Sequence, residues 1–237
     1  AVFRRYLPHF LLAVALFAVG ATFGFGAAWL DPAATGYLLP RDFPMIQPGS
    51  TGQEESSEAA TTGQLVGMSG FLFRNNVTVS LLVFGLGITF GVGTVWLLIS
   101  NGLMLGALAA VFVRAGAFRA LLTGVLPHGV LEIPAALIGG AAGLVLAQGL
   151  IQARPWPRLY ELARCGKQAV FLVSGCLPLL AVAAILEAVV ARAPNRFLSE
   201  DFKLATAAVA ATLFIVYLVV LGRGRHAATA EEPHAAP

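Results

Sequence analysis

Long uncharged apolar runs alternate with short polar intervals along this chain, and the spacing predicts helices that cross a lipid bilayer. Crossing roughly 30 Å of hydrocarbon takes about 20 residues at helical rise. Five runs, 10–30, 77–99, 133–153, 168–186 and 204–222, meet or approach that length. A sixth apolar stretch, 103–131, is interrupted by Arg114, Gly116, Arg119 and the string Pro127-His128-Gly129, which predicts a broken or partly re-entrant segment. The expected fold is all-α: a polytopic membrane protein of about six transmembrane helices, forming one membrane domain over 1–237.

Polar intervals set the topology. The first run follows Arg4 and Arg5 and is longer than the core of a cleaved signal peptide, so it reads as an uncleaved anchor. Residues 31–74 hold four prolines and the acidic residues Glu54, Glu55 and Glu58, as expected of an extracytoplasmic loop. Six crossings with the N-terminus inside put Arg4, Arg5, Arg154, Arg158, Arg164, Lys167, Arg223 and Arg225 in the cytoplasm, the side richer in Lys and Arg. Residues 223–237 are then a short cytoplasmic tail, and 155–164, with Trp156 and Tyr160, form either a basic amphipathic element at the headgroups or a solvated loop.

Composition removes the soluble alternatives. The 237 residues are 58% hydrophobic and 11% charged, against about 25% charged in an ordinary soluble domain. A net charge of +3 would hint at nucleic acid in a soluble protein, but the basic residues stand singly between apolar runs, so no nucleic-acid partner is expected and the main partner is membrane lipid. Cys165 and Cys176 form no disulfide framework and have no metal-ligand spacing. GxSxG, HExxH and phosphate-binding Gly-rich motifs are all absent, so no catalytic residue, cofactor or metal is expected.

Two runs resemble each other. Residues 16–30 read LFAVGATFGFGAAWL and 83–97 read VFGLGITFGVGTVWL, sharing Phe, Gly, Thr and Trp at corresponding places. In the topology above these spans cross in opposite directions, the arrangement of an inverted repeat. Gly20 and Gly24, like Gly87 and Gly91, are four apart and share a helix face on which a neighbouring backbone can approach closely.

Ionisable groups in lipid cost several kcal/mol on insertion scales and are candidate functional residues. His128 and Glu132 are four apart and share a face of a helix that starts near Pro127, with Gly129 permitting a close turn. They form either a polar contact inside the bundle, an ion or proton path, or a polar helix start at the outer headgroups. Glu187, toward the outer end of its span, either snorkels or joins Glu132. Arg114 and Arg119 bracket Gly116, which suits a turn at the outer headgroups followed by a dip of 118–126 into the membrane or by a surface helix.

The strings Phe73-Arg74-Asn75-Asn76, Asn101-Gly102-Leu103-Met104-Leu105-Gly106, 126–134 around His128, and Gly139-Gly140-Ala141-Ala142-Gly143 resemble the stage II sporulation protein M family of bacterial integral membrane proteins. The resemblance covers roughly 70–192 and singles out Asn76, Asn101, His128, Gly129, Glu132 and Glu187. It implies a multispanning protein of the bacterial cytoplasmic membrane without assigned enzymatic activity. In endospore formers the namesake anchors a complex with two cell-wall-degrading proteins. The expected function is therefore a non-enzymatic scaffold or recruiting subunit of an envelope complex, with peptidoglycan hydrolases among its partners and homo-oligomers allowed. A permease or channel-like subunit is the alternative, suggested by the possible repeat and the broken segment.

Overall fold

The computed structural model describes residues 5–39, 78–152, 158–191, 193 and 197–223, and every regular element among them is helical. Helix α1 is Leu7–Leu30, followed by a 3-10 turn, Pro32–Ala34, and the four-residue α2, Thr35–Leu38. Next come α3, Thr78–Ile88; α4, Val92–Arg114; α5, Phe118–Ile151; and α6, Arg158–Ser174. Helix α7, Leu177–Leu186, runs into a π-turn, Glu187–Ala191, and α8 is Glu200–Arg223. Among the described residues, five stretches are long and apolar enough to cross a membrane: α1, α4, α5, the run Leu159–Ala191 and α8. With the shorter apolar α3, this is an all-α polytopic membrane protein.

Glycines set the tightest crossing. Gly20 and Gly24 of α1 press on the backbone at Ile99 and Leu103, and Gly102 and Gly106 of α4 press on the backbone at Phe17 and Ala21. Residue numbers rise together on both helices, so α1 and α4 run parallel and in register, and at their far end Arg114 Nη1 donates to the Trp29 carbonyl at 3.0 Å. The close approach of a carbonyl to a glycine backbone is how small residues hold membrane helices together where no hydrophobic effect separates helix from lipid. Along α4, the exposed Trp96 and the Arg114 that binds Trp29 are about 27 Å apart at 1.5 Å per residue. That separation is close to a hydrocarbon thickness.

The run 77–99 is not one span. Helix α3 ends in a reversal at Thr89–Gly91, where Phe90 has φ +55° and Gly91 φ +82°. Glycine at the second of these positions accepts a left-handed backbone without a Cβ clash, and Thr94 Oγ then donates to the Val83 carbonyl at 2.7 Å across the hairpin. Gly91 is therefore a turn residue, and Ala147 of α5 lies close against it. The second copy of the repeated string straddles this turn, and its latter half runs parallel to the first copy, so the two are not an inverted pair of spans.

The expected break at Pro127 and Gly129 is also absent. The chain turns earlier: Ala117 N donates to the Phe112 carbonyl at 2.9 Å and Gly116 N to the Val113 carbonyl at 3.1 Å, with Gly116 at φ +67°. This is a Schellman close of α4, placed between Arg114 and Arg119 as the sequence suggests. From Phe118 a single helix of 34 residues continues through both Pro127 and Pro134. A proline removes one backbone bond, and inside a membrane bundle the packed neighbours hold such a helix together.

Helix α5 is the common wall of the bundle. On one side it meets α1, α3 and α4, where Gly139 and Gly143 lie against the backbone of Ser80 and Val83 and Gly87 against that of Gly143. On the other it meets α6, α7, the π-turn and α8, through Leu131, Ala135, Ile138, Ala142 and Val145. Helices α5 and α8 start at the same end, joined by Arg119, which bonds Glu200 and, at 2.6 Å, Asp201. Since α5 runs opposite to α1, Leu7 and Arg223 lie together at the other end.

Candidate functional site

Burial singles out three ionisable side chains. His128, Glu132 and Glu187 are each exposed by 1% or less. His128 and Glu132 are one turn apart on α5, and Glu187 opens the π-turn that packs against the same helix. A π-turn shifts the side chains that follow it, and such turns recur at functional positions. Burial of Glu187 excludes the snorkelling arrangement.

Position along α5 follows from helix length. His128 lies about 15 Å and Glu132 about 21 Å along α5 from Phe118, whose end is level with the Arg114–Trp29 contact. Both lie well inside a continuous helix, so the pair does not stand at a helix start. The sequence places the helix start about nine residues too late because Pro127 looks like a first-turn proline.

Asn101 faces the same region from α4. Its Nδ2 donates to the Leu97 carbonyl at 2.8 Å, and with His128 it lines an interior cavity of about 40 Å³. The other walls include Phe17, Val79, Met104 and Gly129, so α1, α3, α4 and α5 all meet there. A cavity of that size has room for water, which needs a few polar partners to be held; a drug-sized ligand needs several hundred Å³. Among the described residues no group of three His, Cys, Asp or Glu side chains could hold a metal ion.

The structure thus brings Asn101 and His128 to one cavity, sets Glu132 one turn from His128, and packs the Glu187 turn on their helix. Asn76, most of the 31–74 loop, Trp156 and the tail beyond Arg223 lie outside the described residues. Sequence reasoning did not identify Gly102, Gly106, Gly139 and Gly143 as packing positions, although the spacing of each pair, four residues, is the same signal that identified Gly20 and Gly24. It also missed Thr94, whose buried hydroxyl bond has no local signature, and the pairing of Arg119 with residues 81 and 82 positions away.

A sequence model of one protein family, described as "SpoIIM: Stage II sporulation protein M", matches residues 13–192, so the match takes in most of α1 as well as the region around His128. No curated protein and no solved structure matches the chain. The match spans most of the chain, and the chain belongs to that family.

Proposed function

We propose that this member of the stage II sporulation protein M family is a non-enzymatic membrane scaffold, a recruiting subunit of an envelope complex in the bacterial cytoplasmic membrane. The observation that carries the reading is the size of the interior space at the polar site. About 40 Å³ between Asn101 and His128 is far below what a substrate occupies, so the buried polar groups serve to fix α5 against its neighbours. The surface left for partners is large: the most apolar stretches of α1 and α8 are each only 17% buried within the chain. Partner helices, a second copy, or lipid can lie on them.

Both termini are assigned to the cytoplasm, and the 31–74 loop to the outside. Support comes from the common end of Leu7 and Arg223 and from the basic residues near it, among them Arg5, Arg164 and Lys167. The loop is the segment best placed to meet wall-remodelling hydrolases. A permease or channel-like subunit is the second reading, favoured by three ionisable side chains buried inside an apolar helix bundle, a placement common in ion pathways.

Affinity purification from native membranes separates the two. Co-purification of peptidoglycan hydrolases, lost when 41–70 is replaced by a Gly/Ser linker, is the expected result. Recovery of an ATPase partner with no wall enzyme would favour the transport reading instead.

A further inference from the structure

Phe90 is, among the described residues, the one non-glycine residue with a left-handed backbone. A bulky side chain pays for that conformation with a clash of Cβ against its own backbone, so it persists only where the surroundings fix it. The surroundings here fix the backbone and leave the ring free. Thr89 Oγ donates to the Leu86 carbonyl at 2.6 Å and accepts from Gly93 N at 2.9 Å, closing the turn. On the inner side Gly87 lies on Gly143, and a methyl at Gly91 would stand 3.0 Å from the Ala147 Cβ, so α5 backs the turn. On the outer side Phe90 is 59% exposed, and Ile88, Val92 and Trp96 are more exposed still.

These four side chains gather where α3 ends and α4 begins, at the end of the bundle where α1 starts; aromatic side chains such as Trp96 favour the membrane–water interface. Leu11 and Leu12 of α1, also exposed, lie near the level of Val92 because α1 and α4 are in register, so the patch continues the lipid-facing belt of the bundle. We propose that the Thr89–Gly91 turn is a membrane-interface anchor: Phe90, with Ile88, Val92 and Trp96, is seated among the glycerol and upper acyl groups of the phospholipid leaflet at that end of the bundle, and the left-handed backbone at Phe90 aims its ring there. The anchor fixes the depth of the α3–α4 hairpin, and with it the depth of the cavity above.

The test is depth measured by a nitroxide spin label on Phe90→Cys, in vesicles of phosphatidylethanolamine and phosphatidylglycerol, by comparing collisions with oxygen and with a water-soluble nickel complex. Cys165 and Cys176 are buried, and both are changed to Ala in the background used. Labels at Val19→Cys, exposed halfway along α1, and at Ala228→Cys in the hydrophilic tail give the lipid-core and aqueous references. The oxygen-to-nickel ratio at position 90 is expected to be several-fold above that at 228 and below that at 19, a depth within about 5–10 Å of the headgroup boundary. A ratio equal to that at 228, a ratio equal to that at 19, or a label shielded from both reagents, as under a protein partner, would each overturn the proposal. Ile88→Cys and Val92→Cys carry the same expectation, should the label at 90 disturb the turn.

Discussion

Gly24 lies so close to Leu103 that a methyl group on it would fall onto the Leu103 carbonyl oxygen, while Gly26, two residues on, has open space at the same position. The two glycines therefore make a matched pair in one helix. Gly24→Ala forces α1 away from α4 and should lower stability by roughly 1–3 kcal/mol, the usual range for overpacking. Gly26→Ala gains helix propensity and should be neutral or stabilising by about 0.5–1 kcal/mol. Thermal unfolding in detergent reads both; equal effects would mean that α1 and α4 do not cross this closely.

Gly91 supplies a different contrast, because its backbone rather than its space is special. At φ +82° a side chain that tolerates the left-handed region should be less harmful than one of the same size that does not. Gly91→Asn is expected to unfold at a higher temperature than Gly91→Leu, although an amide suits an apolar bundle less well than an isobutyl group. Leu98→Ala, removing a side chain that is buried against Gly140, should cost about 2–5 kcal/mol, at least as much as either. Leu tolerated better than Asn at position 91 would point to helix packing instead of a turn.

Topology is open to direct labelling. With Ser56 and Ser57 each changed to Cys, a membrane-impermeant thiol reagent applied from the periplasmic side should react, and the same reagent should not reach Ala228→Cys until the membrane is opened. The common end of Leu7 and Arg223 in the bundle requires that the tail and the N-terminus behave alike. Labelling of Ala228→Cys from outside would reverse the assignment of the basic residues.

What the sequence could convey about this fold depended on the kind of signal. Apolar length identified a membrane bundle, because hydrocarbon thickness sets a minimum run that composition alone can satisfy. Turns were harder. The pentapeptide pattern Thr-Phe-Gly-x-Gly is helical at Thr22–Gly26 and a reversal at Thr89–Gly93, so local sequence does not decide between them; the packing of Gly87 and Gly91 on α5 does. Prolines misled in the opposite direction, since Pro127 and Pro134 sit inside a continuous helix whose neighbours hold it together. His128, Glu132 and Glu187 stand out in the sequence because charged groups are rare in an apolar chain, and the structure buries all three. How far along α5 the first two lie was not legible, since it depends on where that helix begins.

His128 and Glu132 offer the most informative cycle of substitutions. Both are buried on one face of α5, one turn apart, where a polar group stripped of its surroundings costs roughly 1–3 kcal/mol and a charged one more. His128→Ala should therefore destabilise the bundle, by the lost packing against the cavity and by the change around Glu132. Glu132→Gln keeps hydrogen-bonding capacity and should be milder than Glu132→Leu. If the two residues act as one polar unit, the double change His128→Ala with Glu132→Leu costs less than the sum of the singles, by about 0.5–3 kcal/mol, the range found for residues in contact. Thermal unfolding of the four proteins in the same detergent gives the coupling directly, and Asn101→Leu, across the cavity, extends it to α4. Additive losses in every pair would show that each side chain is held by its own surroundings, and that the polar site is not a unit.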